Sequence, residues 1–402
     1  MSALLPVEEA LAQVLASASP VQDAVTLPLL GALGHVLAES VVSSIDVPGD
    51  DNSAMDGYAL RARDASSPLP VSQRIAAGTP GCELKPGTAA RIFTGAAIPP
   101  GADAVVMQEN CSEQDQVVSV SGAVTAGQNI RPRGQDIGAG ATVLSQGRVL
   151  RPQDLGLLAS IGRDSVSVYR PLRVAVLSTG DELVEPGSGP LHSAQLYNSN
   201  RYTLAGLLRS LNMEFVDCGI VPDDADTTAQ ALRDAAARAD CVITSGGVSV
   251  GEEDHVKTQV ERLGQLQLWK LAIKPGKPLA FGRIADTPFV GLPGNPTSVF
   301  VTFCLIARPF LRRLQGVDEP ALPRLRARAN FSVDRPGGRQ EYLRVTLAGA
   351  SAGDGLQASR FSNQSSGVLS SVSHSDALAV IPPATTLAEG EPVEVILLDT
   401  LA

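Results

Sequence analysis

The chain runs to 402 residues with a formal net charge of −10, 44% apolar residues, 18% charged residues and 4% aromatics. That length exceeds one comfortable core and implies two to four domains, while the apolar share excludes a disordered chain. The acidic balance excludes nucleic-acid binding as the main activity, because a phosphate backbone requires a basic surface that releases its counterions.

Near the N-terminus Val7, Ala10, Leu11, Val14 and Leu15 follow helical spacing behind Pro6, and a second helix is predicted over Leu29 to Ala38. From about Asp46 the texture turns to short β-rich runs broken by Gly and Pro pairs: Ala89–Phe93, Ala104–Gln108, Val117–Val120 and Ala141–Leu144. Pro152 to Ile161 is predicted as a helix that packs with the N-terminal ones. From Arg173 strands and helices alternate. The strands read as Arg173–Leu177, Glu214–Gly219, Cys241–Thr244, Leu268–Ala272 and Pro288–Gly291. The helices read as Ser199–Leu211, Asp226–Ala239, Asp254–Leu263 and Pro296–Leu314. Short apolar strands alternating with amphipathic helices make a parallel sheet covered on both faces. After Gly316 the β texture returns over Arg324–Val333, Glu341–Leu347, Leu356–Arg360, Ala377–Ile381 and Glu391–Leu398, a small barrel or sandwich. The expected fold class is a multidomain α/β plus β protein. Its expected divisions are residues 1–45 with 146–171, then 46–145, 172–317 and 318–402.

Five cysteines (Cys82, Cys111, Cys218, Cys241, Cys304) form no Cys-x-x-Cys pair, and four histidines (His35, His192, His255, His374) share no ligand spacing. A disulfide framework, a zinc knuckle and a His-built metal site are therefore not expected. No run approaches ~18 uninterrupted apolar residues, and no charged start precedes an apolar run, so the expectation is a soluble cytoplasmic protein without membrane contact.

In an open parallel sheet, ligands gather at the carboxyl ends of the strands. Those ends carry three unusual turns: Ser178-Thr179-Gly180-Asp181-Glu182, Ser245-Gly246-Gly247-Val248-Ser249 and Pro293-Gly294-Asn295-Pro296-Thr297-Ser298. All three are expected on one edge. The paired glycines let successive N–H groups converge as an anion nest, although an ordinary strand–helix loop has the same composition. Around it stand Asp181, Glu182, Asp223, Asp224 and Glu252-Glu253-Asp254, oxygen ligands suited to Mg²⁺ beside a phosphate. Each alone also fits a helix N-cap or a solvated face, Asp254 above all. Lys270, Lys274 and Lys277 supply compact cations for oxyanions, or else a charged strand edge.

The segments DNSAMDGYAL (51–60), RIFTGAAIPPGADAVVMQE (91–109), NIRPRGQDI (129–137), LSTGDEL (177–183), TSGGVSVGEEDH (244–255), KLAIKPGKP (270–278), GLPGNPTS (291–298) and QEYLR (340–344) stand in this order along the chain. In these segments the sequence resembles the molybdopterin molybdenumtransferase family, which includes the C-terminal domain of gephyrin. The resemblance implies a helical stalk (1–45 with 146–171), an inserted β-rich domain (46–145), a molybdopterin-binding α/β domain (172–317) and a C-terminal β-barrel (318–402). It also implies a homodimer whose active site takes groups from both chains. The implied reaction joins adenylylated molybdopterin and molybdate to give molybdenum cofactor and AMP, with Mg²⁺. A molybdopterin adenylyltransferase and molybdoenzyme maturation proteins are the implied neighbours.

Under the resemblance, Ser245, Gly246, Gly247 and Ser249 hold the pterin phosphate, with Pro293 and Pro296 shaping the same site. Glu182, Asp223 and Asp254 bind or position Mg²⁺. Lys270 and Lys274 neutralise phosphate charge, while Lys277, Ser298 and Arg344 take molybdate. Asp56, Thr94 and Asp136 reach the site from the partner subunit. Two positions depart from the family: Asn198 stands where Asp is common, and His255 replaces a frequent Tyr. Alternative readings are an adenylyltransferase or nucleotide pyrophosphatase on the same α/β domain, since fold alone does not fix reaction. A non-catalytic scaffold or cofactor carrier is a third.

Overall fold

The computed structural model describes residues 4–248, 255–317, 322–349 and 355–401. The N-terminal helix, Val7–Ala16, buries Val7, Ala10 and Val14, the face its spacing marks. It packs against the helix Arg308–Leu314 within the core of the α/β region. The helix Pro152–Ser160 joins a different core, with Leu29, Ala32, Leu37 and Leu158. The expected packing of these two helices on each other is thus corrected.

The expected helix over Leu29 to Ala38 is also corrected. Only one 3-10 turn, Leu29–Gly31, forms. Gly34 adopts φ +77, a left-handed conformation that ends helical propagation, and Val36 and Leu37 then bridge to Val149 and Val168. Around this turn the chain forms two small antiparallel pairs, Ala24–Pro28 with Ser165–Tyr169 and Val41–Val42 with Thr142–Leu144.

The inserted region holds a six-stranded sheet in the order Ala104–Met107, Gly57–Leu60, Ala89–Ile92, Leu69–Ile75, Val117–Val120, Cys111–Gln114. Three of its strands (Gly57–Leu60, Leu69–Ile75 and Cys111–Gln114) were not predicted, because each is short or interrupted by polar residues.

The α/β sheet runs Glu214–Val221, Arg173–Thr179, Cys241–Ser245, Thr287–Leu292, Pro278–Ile284, Gly264–Lys270. The first four strands are parallel. Pro278–Ile284, which no expected strand covered, pairs antiparallel with both of its neighbours, making that edge mixed. Chain connections leave Arg173–Thr179 and Cys241–Ser245 in opposite directions, the arrangement that opens a crevice at their carboxyl ends.

Five C-terminal strands close into a barrel. Gln340–Gly349 pairs with both Leu356–Arg360 and Ala377–Ile381, and Leu325–Ala329 and Pro392–Leu397 complete the ring. The two-residue strand Ile273–Lys274, although it sits between two strands of the α/β sheet, pairs with Gln340 and Glu341 of the barrel. Leu271 and Ile273 are fully buried at this junction. Each such aliphatic side chain contributes about 1.5–3 kcal/mol, so the seam is held by core packing as well as by hydrogen bonds. No helix among the described residues is long and apolar enough to cross a membrane.

Candidate active site at the seam of sheet and barrel

The carboxyl ends of the parallel strands open into a cavity of about 1130 Å³. All three unusual turns border it, through Thr179, Gly180 and Glu182, through Ser245, Gly246 and Gly247, and through Pro293, Pro296 and Ser298. Two buried serines border it, Ser245 and Ser298, each at most 3% exposed, and Ser245 Oγ lies 3.4 Å from the buried Ser178 Oγ behind it.

Glycine is required in the middle turn. Gly246 and Gly247 adopt φ +95 and +67, and a Cβ on Gly247 would meet Val256 Cγ2 at 2.5 Å. The Gly246 N–H donates to the Leu292 carbonyl at 3.1 Å, so the donors this turn offers a ligand begin at Gly247. Gly180, at φ +137, holds a backbone conformation that other residues rarely adopt, and the Glu182 carboxylate folds back against it.

Two of the three expected metal-binding carboxylates, Glu182 and Asp223, border the cavity. The third, Asp254, lies outside the described residues, as does Ser249. No ready-made cluster of three ligands occurs among the described residues. Two carboxylates facing an anion site are nonetheless what Mg²⁺ takes when substrate phosphates complete its shell. Asp224 is different: its Oδ1 accepts the N–H groups of Asp226 and Thr227, capping the helix Ala225–Arg238. The Thr227 hydrogen bond pulls its carboxyl below the usual range.

Among the lysines, Lys274 and Lys277 border the cavity, whereas Lys270 does not. Lys274 Nζ lies 3.2 Å from both oxygens of Glu341, a barrel residue. Arg344 is 1% exposed and lies behind the wall. Its guanidinium donates to Ser371 Oγ at 3.0 Å and to the carbonyls of Tyr342 and Ser365 at 3.3 Å. Burial without a carboxylate pulls it down to about 10. The Gln364 side-chain amide brackets the Arg344 main chain, its Oε1 accepting the N–H at 3.0 Å and its Nε2 donating to the carbonyl at 2.9 Å, which ties the Gln364-Ser365-Ser366-Gly367 loop bordering the cavity to the barrel.

Sequence reasoning missed that loop and Arg339, another cavity neighbour. The only signal was the Pro336-Gly337-Gly338 turn ahead of a lone arginine. Of the two departures, Asn198 caps the helix Ser199–Ser210 through its Oδ1, and both it and His255 border the cavity.

Asp56, Thr94 and Asp136 do not border this cavity. Asp56 Oδ1 accepts both the main-chain N–H and the hydroxyl of Thr94 at 2.8 Å, and these bonds pull its carboxyl below the usual range. Asp136 borders a smaller hollow with Val47, Pro48, Asn52, Arg131 and Gln135.

Residues 5–162 match the MoeA N-terminal region (domain I and II), residues 175–313 a probable molybdopterin binding domain, and residues 326–398 the MoeA C-terminal region (domain IV). A molybdopterin molybdenumtransferase of Haemophilus influenzae is 46% identical over 79% of this chain and 80% of its own. One from a Nostoc species is 37% identical over 93% of this chain and 89% of its own. A crystal structure of the molybdopterin biosynthesis moeA protein from Pyrococcus horikoshii superposes with a TM-score of 0.85, at 30% identity, covering 98% of this chain and 100% of that one. With its three regions matched in order and its cleft built where the parallel strands end, the chain belongs to the molybdopterin molybdenumtransferase family.

Proposed function

We propose that this protein is a molybdenum insertase, joining adenylylated molybdopterin and molybdate to give molybdenum cofactor and AMP. The observation that carries the reading is the cleft itself, where a glycine turn, two carboxylates and two lysines face one another across a cavity large enough for a dinucleotide-sized substrate. Lys277, Arg339 and the Gly247 N–H make its wall favourable to oxyanions. Glu182 and Asp223 would hold Mg²⁺, which when bound offsets phosphate charge as the pyrophosphate breaks. Ser245 and Ser298 would offer hydroxyl donors, and Lys274, held by Glu341, would offset phosphate charge from the cavity wall. Dithiolene sulfurs of the substrate, rather than a protein thiol, would take the metal. Cys241 and Cys304 fit that division of labour, because burial pushes both thiols up, Cys304 to about 12.

The reading includes a homodimer with a shared site. Asp56 is held charged and accessible away from the cavity of its own chain, as a group that serves a partner must be. Leu30, Leu33, Val42 and Ile45 are exposed apolar side chains of the stalk region that such a partner would cover. Domain boundaries at 45/46, 145/146, 171/172 and 317/318 belong to the same reading, as does a cytoplasmic setting for five free cysteines. The molybdopterin adenylyltransferase and molybdoenzyme maturation proteins would stand before and after it.

The test is AMP release from adenylylated molybdopterin with and without molybdate. Wild type is expected to release AMP in response to molybdate, and Lys277→Gln to lose on the order of 10²-fold. Mixing Lys277→Gln with Asp56→Asn is expected to restore part of the rate through hybrid dimers. Release indifferent to molybdate favours a pyrophosphatase, absence of release from folded wild type favours a scaffold, and failure to complement removes the shared site.

A further inference from the structure

We infer that Arg91 is the positioning residue of the Asp56–Thr94 pair, tying together the strand ends of the inserted sheet so that the Asp56 carboxylate is presented in one fixed pose. The inference rests on the shared-site reading above, in which Asp56 serves the partner's cleft, and adds to it the residue that holds Asp56 still.

Asp56 immediately precedes the strand Gly57–Leu60, which lies between Ala89–Ile92 and Ala104–Met107. Arg91 stands opposite Tyr58 on one side of that strand. Its Nη1 donates to the Gly57 carbonyl at 3.2 Å, and its Nη2 reaches Gln108 Oε1 at 2.6 Å. Gln108 follows the strand on the other side, and its main-chain N–H donates to the Asp56 carbonyl at 3.0 Å. The guanidinium thus closes a ring of contacts around the Asp56-Gly57 peptide. Glycine is needed at its centre, because a Cβ on Gly57 would meet the Val106 carbonyl oxygen at 1.9 Å.

Two aromatic rings hold the guanidinium itself. Its Cζ lies 5.1 Å from the Tyr58 ring centre and 4.9 Å from that of Phe93. Tyr58 is buried, and its hydroxyl donates to the Glu113 carboxylate. A planar fork meets two acceptors on different strands at once, which an ammonium does poorly. Both acceptors are neutral, so no ion pair with them consumes the charge. Three positions on, Thr94 donates its N–H and its hydroxyl to Asp56 Oδ1. Those two bonds hold the Asp56 carboxyl below the usual range, and the Arg91 charge acts in the same direction. Among the described residues no hydrogen bond engages Asp56 Oδ2. One oxygen tied and one left over, on an exposed residue, suits a contact outside its own chain.

The test is a double-mutant cycle on the full-length protein, read as molybdate-stimulated AMP release, with thermal melts to confirm folding. Arg91→Gln is expected to slow release by about tenfold or more, because a displaced carboxylate no longer meets its target. Placed in an Asp56→Asn background, the same change is expected to cost less than about twofold further, since a residue that acts through Asp56 has nothing left to position. Arg91→Lys keeps the charge without the fork and is expected to lose less; it carries the same cycle if Arg91→Gln melts early. Losses that multiply overturn the inference alone, because an arginine with a merely structural role acts independently of the carboxylate. Wild-type release from folded Arg91→Gln overturns it as well. Wild-type release from Asp56→Asn overturns the shared-site reading, and this inference with it.

Discussion

Single residues at the cleft illustrate how far sequence reaches. Glu182, Asp223, Lys277 and Ser298 could be named because each follows a strand of obvious apolar pattern, and they meet at one cavity. Arg339 and Ser365 could not, because they arrive from another sheet and neither stands in a strand with a readable period. Arg344 shows the converse. Its charge marks it in the sequence, but only the structure shows it buried behind the wall, where it orders Ser365. The ion pair of Lys274 with Glu341 was equally invisible, since 67 positions separate the partners. It leads to a prediction at this scale. Glu341→Gln frees the Lys274 charge, so affinity for the anionic substrate is expected to rise a few-fold at low salt. The gain is expected to shrink as ionic strength climbs toward 1 M, where the Debye length is about 3 Å. An affinity series against salt checks both parts.

Elements were legible where the repeat was long and failed where glycine or proline interrupted it. The helices from 199, 225 and 296 could be read from spacing and caps. Leu29 to Ala38 has the same apolar spacing, yet Gly31 and Gly34 divide it and leave Leu30 96% exposed. Pro278–Ile284 was hidden by the KPGKP run before it, which reads as a turn, although Leu279, Ala280 and Ile284 are buried like any central strand. The Gly246-Gly247 turn was legible because both positions need left-handed φ. Gly247→Ala would place a methyl 2.5 Å from Val256 Cγ2 at φ +67. It is expected to cost about 1–3 kcal/mol in chemical denaturation and to weaken phosphate-ligand binding as the turn is displaced. Normal values of both would show that the turn yields without consequence.

At the scale of the whole molecule, the passage from the stalk into the α/β region is clamped by Arg170. Its guanidinium meets Asp240 at 2.7 Å and Asp23 at 3.0 Å, and Arg173 adds a second contact to Asp240. Burial alone would raise the Asp240 carboxyl, but the hydrogen bonds from Arg170 and Arg173 prevail and hold it at about 2. Its folded value therefore lies below the unfolded one. The stabilisation is complete above about pH 4, amounts to about 2 kcal/mol, and disappears as pH falls through about 2. Asp240→Asn is expected to be less stable at pH 7 and to lose that step of the acid limb. Parallel denaturation curves of the two proteins at all pH values would remove the clamp from the account. The sequence could not supply this, because Asp23, Arg170 and Asp240 belong to three separate segments.

The short strand Ile273–Lys274 joins the barrel's hydrogen-bond ladder while its chain neighbours on both sides belong to the other sheet. The Leu5 N–H donates to the Lys270 carbonyl at 2.9 Å, and the Gln340 N–H to the Ala272 carbonyl at 2.8 Å. Three regions that a linear map draws as separable thus share one stitched node. The barrel is not an interchangeable cassette: a chimera grafting a relative's barrel after residue 317 would inherit mismatched partners for residues 270–274. A graft that carries the KLAIKPGKP stretch together with the barrel is expected to keep the Lys274–Glu341 pair that a barrel-only graft would put at risk.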